Sequence, residues 1–133
     1  MSQENLETVR RIYDAFGEGD FARALEEGEP DFEWIPPEQD IQGPVQGLES
    51  LRRFLEDQNE AFEDFRVEAE ELKDHGDKVL ALIRVSGRGR ASGVEFDIRA
   101  ANLWTFRGGR LIRGQVFPDR REAPTRRART ALR

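Results

Sequence analysis

The stretch 93–107, GVEFDIRAANLWTFR, decides the fold. Drawn as an extended chain, it sends successive side chains to opposite faces. Phe96, Ile98, Ala100, Asn102, Trp104 and Phe106 share one face, while Glu95, Asp97, Arg99 and Thr105 share the other. The pattern predicts a long strand with one apolar face, and a strand of this length must bend around whatever it covers. Asn102 is the only polar member of that face.

Around it lie three further strand candidates, at 65–73, 78–87 and 110–117. They are separated by turn sequences at His75-Gly76-Asp77, Gly87 to Gly93 and Gly108-Gly109, short enough for antiparallel hairpins. Upstream the period changes. Leu6, Val9, Ile12, Tyr13 and Phe16 recur at spacings of three and four, which predicts an amphipathic helix over 3–16 capped by Ser2. Asp20 is placed to cap a second short helix through Phe21, Ala24 and Leu25 that ends at Gly28. A strand over 31–35 is closed by Pro36-Pro37, and 38–47 reads as a loop with at most a two-residue strand. Leu48, Leu51, Leu55 and Phe62, with Phe54 beside them, mark a third, longer helix. Three helices followed by a strongly curved, antiparallel or mixed sheet make an α+β fold, in which the helices cover one sheet face and leave a pocket at the wide end.

The chain has 133 residues, enough for one domain with a single core. It has no Cys, which excludes a disulfide scaffold, a thiol nucleophile and a Cys-ligated metal. Its one His, His75, sits in the turn composition Lys73-Asp74-His75-Gly76-Asp77 and reads as a solvated loop residue, so no Ser-His or Cys-His pair can be built. No apolar run approaches the ~20 residues that span a bilayer, and the amino end lacks a signal-peptide core. A cytoplasmic, cofactor-free protein with no membrane partner is expected. The net charge of −6 is uneven: residues 118–133 hold six Arg against Asp119 and Glu122, so this segment is +4 and the remainder −10. Of the 21 basic residues only Lys73 and Lys78 are Lys, a bias typical of a GC-rich bacterial genome. The basic tail lacks aromatic interleaving, which argues against a nucleic-acid partner. A domain over 1–117 and a tail over 118–133 are therefore expected.

VRRIYDAFGEGD (9–20), PDFEWIPP (30–37), GLESLRRFL (47–55) and ANLWTFRGGRLIRGQVF (101–117) resemble the SnoaL-like group of the NTF2-like superfamily. The resemblance implies a cone-shaped α+β fold, a hydrophobic pocket, and often a homodimer formed through the sheet. It also implies isomerase or polyketide-cyclase chemistry that rests on buried carboxylates. None of those positions is matched here. The oxyanion Tyr of the ketosteroid isomerases falls on Ile12, with Tyr13 one residue on. The general base falls on Ile35 or Pro36, the second Asp on Asn102, and the epoxide-hydrolase Asp near Val116.

Candidate site residues follow. Asn102 can donate to and accept from a ligand carbonyl, or be a core amide satisfied by backbone or water. Arg84, sharing parity with Leu80 and Leu82, is expected to point inward as a fork for a carboxylate or enolate, or else to pair outward with Glu95 or Asp97. Trp34, Trp104, Phe16, Phe54 and Phe62 would line a pocket for a flat or polycyclic ligand, or serve as core. The Tyr13 hydroxyl would face either pocket or backbone. The acidic run Glu26, Glu27, Glu29, Asp31, Glu33 reads as exposed surface rather than a metal site, and Gly87 to Gly93 as a hairpin loop rather than a phosphate cradle. The expected function is binding of a hydrophobic small molecule with a carbonyl or acid group. Any isomerase or cyclase activity would rely on Asn102 and Tyr13 as electrophilic donors. The competing reading is a non-catalytic dimerisation or interaction module whose cone is filled by side chains.

Overall fold

The structure, a computed structural model, describes residues 2–37 and 43–124. The chain runs α1 (Ser2–Gly17), α2 (Phe21–Ala24), β1 (Gly28–Ile35), β2 (Val45–Gln46), α3 (Leu48–Ala61), β3 (Phe62–Asp74), β4 (Lys78–Gly89), β5 (Glu95–Arg107) and β6 (Arg110–Phe117), then a short 3-10 turn (Arg120–Glu122). The six strands form one mixed sheet in the order β2-β1-β6-β5-β4-β3. All neighbours are antiparallel except β1 and β6, which run parallel. This is the expected α+β architecture of three helices on a curved sheet.

Local chemistry sets the element ends. Ser2 is the first helical residue of α1 rather than its cap. Asp20 caps α2, its carboxylate accepting from the Arg23 N–H at 3.1 Å. The second helix is only one turn long, because Gly28 already pairs with Leu111 and starts β1 three residues before the predicted strand. Phe62 is extended (φ −127°, ψ 152°), so α3 stops at Ala61 and β3 begins earlier than the hydrophobic pattern suggests.

The main core lies between the helices and the concave face of the sheet. Val9, Ile12, Phe32, Leu51, Val79, Trp104 and Leu111 are fully buried there. A second, smaller cluster of Leu80, Ala101, Leu103 and Ala123, with Leu82 and Phe117 beside it, covers the opposite face. Strand β4 is thus apolar on both faces over 79–83. The inward set is Val79, Ala81, Ile83 and Val85, paired with Trp104, Asn102, Ala100 and Ile98 of β5.

The segment after Phe117 packs on the sheet as far as it is described. Asp119 caps the 3-10 turn. The Arg120 guanidinium donates to the carbonyls of Ile83 and Ala100 and to the Glu70 carboxylate. The arginines from 126 on lie outside the described residues. His75 is buried, correcting the expectation of a solvated loop residue. Its backbone N–H donates to the Lys78 carbonyl, and the Asn5 amide of α1 reaches the Gly76 carbonyl, so the helix closes over this turn.

Candidate functional site

Between the helices and the concave face lies a cavity of about 310 Å³. Helix α3 supplies Phe54, Leu55, Gln58 and Asn59. Phe16, Phe21, Trp34 and Pro36-Pro37 close one side. The sheet supplies Phe62, Phe65 and Val67 from β3, Ile83 and Val85 from β4, and Phe96, Ile98, Ala100 and Asn102 from β5. Val116 and Pro118 complete the wall. The face predicted from the 93–107 alternation is the one that lines the cavity and continues into the core. Ile98, 49% exposed, stands at the open end.

Among the described residues none of the lining side chains is ionisable, and the polar ones are Gln58, Asn59 and Asn102. Asn102 is the buried one, at 3% exposure. Its Nδ2 donates to the Tyr13 hydroxyl at 2.8 Å, and Trp104 Nε1 donates to the same oxygen at 3.0 Å. Asn102 Oδ1 has no partner among the described residues. Burial pushes the Tyr13 phenol well above its ordinary value of 10.0, against the opposing pull of the hydrogen bonds from Asn102 and Trp104. Trp104, expected in the cavity wall, lies instead with Tyr13 behind Asn102, where the Tyr13 hydroxyl accepts from both the Asn102 amide and the Trp104 indole. The Tyr13 and Trp104 rings meet edge to face at 6.0 Å. The helical turn that puts Ile12 into the core also aims Tyr13 at the amide.

Arg84 requires a correction. It lies on the opposite face of the sheet, in register with Arg99 of β5 and Glu68 of β3. There it binds Asp97 in bidentate fashion, Nε at 2.9 Å and a terminal nitrogen at 2.6 Å. Asp97 raises the guanidinium pKa and Arg84 holds the Asp97 carboxyl below its usual range, both through that hydrogen-bonded pairing. The parity argument failed because Leu80 and Leu82 belong to the outer cluster under Phe117 and Ala123. Leucines therefore marked the wrong face. Phe16, Trp34 and Phe54 do line the cavity. Phe96, Ile98, Ile83 and Val85 line it too, as the alternation of β5 and the odd-numbered apolar positions of β4 indicate, and Phe65 and Val67 of β3 join them.

The acidic run near β1 is drawn into surface ion pairs. Glu27 and Glu29 meet Arg110, and Glu33 meets Arg113. No group of three or more His, Asp or Glu among the described residues is placed to hold a metal, and no described helix is long and apolar enough to cross a membrane. The loop between β4 and β5 is a hairpin closed by Gly89 N–H to Val94 carbonyl, with no helix amino end to receive a phosphate.

Comparison with known proteins gives concordant results. The model of the SnoaL-like domain matches residues 9–114. An uncharacterized protein of Mycobacterium tuberculosis is 31% identical over 116 residues, 85% of this chain and 87% of that protein. The structure of an NTF2-like protein of unknown function from Burkholderia pseudomallei superposes with a TM-score of 0.79 at 22% identity, covering 90% of this chain and 93% of that one. A structure named for a SnoaL-like polyketide cyclase from Jannaschia sp. CCS1 gives a TM-score of 0.77 at 27% identity, over 88% of this chain and 86% of the other.

Proposed function

The chain belongs to the SnoaL-like domain family, a small-molecule-binding family of cyclase and isomerase type, and on that basis we propose that its cavity binds a neutral, hydrophobic molecule through a carbonyl group. The observation that carries this reading is a largely apolar cavity of about 310 Å³ with no ionisable side chain among its described lining residues, where the buried Asn102 keeps an unpartnered Oδ1. An acid ligand is no longer favoured, because Arg84 lies on the other side of the sheet.

The hydrogen-bond inventory supports a ligand acceptor. Tyr13 has one hydroxyl proton, yet both of its hydrogen bonds are accepted ones. A half-turn of the Asn102 amide places Oδ1 where the Tyr13 hydroxyl can donate to it. Trp104 still donates to Tyr13, and Nδ2 is left for a ligand carbonyl. A donor held in an apolar cavity polarises a carbonyl and stabilises negative charge that develops on its oxygen. Any isomerisation or cyclisation would then draw its proton carrier from water or from the ligand, since no lining residue among those described supplies a carboxylate base. The competing interaction module with a filled cone is disfavoured by the same cavity.

A thermal-shift screen against ketones, polycyclic aromatics and hydrophobic acids tests this. A ligand at 100 times its Kd stabilises by about 2.7 kcal/mol. Neutral ketones should shift the native chain and fail to shift Asn102→Ala; an equal response of both would reject the assignment. A homodimer through the sheet, implied by the family, is a separate proposal that light scattering decides by mass.

A further inference from the structure

The cavity mouth is built by an irregularity in β3. In a regular strand Phe62 and Phe65, three residues apart, face opposite sides. Here the register with β4 advances three residues on β3, from Glu63 to Arg66, against two on β4, from Arg88 to Ser86. The extra residue is a bulge, and within it Asp64 takes a left-handed conformation, φ 52°, unique among the described non-glycine residues. As a result Phe62, Phe65 and Val67 all line the cavity. The Phe62 and Phe65 rings stack at 5.4 Å with planes 21° apart, and Phe62 meets Phe96 edge-on at 5.1 Å. Gly87 sits opposite the bulge. A β-carbon there would come within 3.2 Å of the Phe96 ring and 3.3 Å of the Phe65 backbone, so a glycine lets the rings close up. Unusual backbone geometry of this kind collects where a protein fixes a binding surface.

We propose that the Asp64 bulge is a specificity device that turns Phe62 inward to complete an aromatic mouth selecting flat, aromatic ligands over puckered ones. This rests on the carbonyl-binding reading above, with Asn102 holding the polar end and the three phenylalanines the ring. Flat π-faces stack on such a mouth and gain directional contact beyond area burial, whereas a saturated ring gains burial alone.

Two ketones of equal carbon count, fluorenone and dicyclohexyl ketone, separate the terms by calorimetric titration. The native chain should bind fluorenone about tenfold more tightly, as the stacking gain of aromatic pairs implies. Phe62→Leu keeps an apolar side chain at the mouth and should remove most of that preference, lowering fluorenone affinity more than dicyclohexyl ketone affinity. Asp64→Gly, which adopts the same backbone freely, should keep the preference, and Asp64→Val, which resists it, should lose it. Equal binding of both ketones by the native chain overturns the role of the mouth and leaves the carbonyl reading standing, as does an unaltered preference in Phe62→Leu. Binding of neither ketone overturns both.

Discussion

Gly114 of β6 lies beneath the Trp34 ring, where a β-carbon would come within 2.7 Å of ring atoms Cε3 and Cζ3 and 3.2 Å of Trp104. The two indoles sit 5.6 Å apart, and the register places Gly114 across from Trp104 on one side and Trp34 on the other. A rigid bicyclic ring cannot give way as a leucine tip would. Gly114→Ala should therefore destabilise the fold by about 1–3 kcal/mol, in the range of core overpacking. The midpoint of urea unfolding measures it, and an unchanged midpoint would mean that β6 shifts freely.

Tyr13 is the only tyrosine in the chain, so its ionisation is directly visible as tyrosinate absorbance. Burial raises its folded pKa above the ordinary 10.0. The sign follows: stability linked to this group is complete below pH 10 and declines as pH rises past it, because only the unfolded chain then releases the proton. No tyrosinate should appear near pH 10 until the fold opens, and absorbance should rise together with the loss of circular dichroism.

Removing the Tyr13 hydroxyl strands two buried polar groups. Tyr13→Phe leaves Trp104 Nε1 and the Asn102 amide without their partner. A cost of about 1–3 kcal/mol is expected for buried polar groups left unsatisfied. Ketone affinity should fall as well, because the amide is no longer held. Native-like affinity in this variant would show that Asn102 orients itself.

Arg84→Ala should leave ligand affinity unchanged, as the guanidinium pairs with Asp97 on the far face of the sheet. The pair is exposed and screened by solvent, so its loss should barely move the unfolding midpoint. Weakened binding of a neutral ketone would contradict the assigned face.

Asp119 holds the last described turn. Arg121 lowers its carboxyl from 3.8 to about 2, first through the side-chain hydrogen bond and then through the Arg121 backbone N–H. This stabilisation is complete above about pH 4 and is lost as pH falls through 2. A carbon-detected NMR titration should find a midpoint near 2, and Arg121→Ala should raise it.

Much of this protein was legible along the chain. The alternation of 93–107 identified the cavity face, because a pleated strand separates its faces every second residue. The spacing of Leu6 to Phe16 identified α1, and Phe16, Trp34, Phe54 and Asn102 line one cavity. Arg84 was misplaced because β4 is apolar on both faces, and alternation carries no information where both sides are covered. His75 sits in a turn composition that reads as solvated, but α1 closes over it, a contact no local pattern reports. Phe65 was hidden by the bulge at Asp64, which breaks the very period used to read a strand.

Periodicity, glycine punctuation and composition thus determined an α+β cone with a largely apolar candidate site and no thiol or histidine pair, since these depend only on residue types and near neighbours in sequence. Tertiary structure alone decided that Tyr13 and Trp104 stand behind Asn102, that Arg84 faces away, and that three phenylalanines meet at the mouth. Those relations join residues up to 91 positions apart, and bulges, register and the covering of a second sheet face set them in ways that local pattern does not encode.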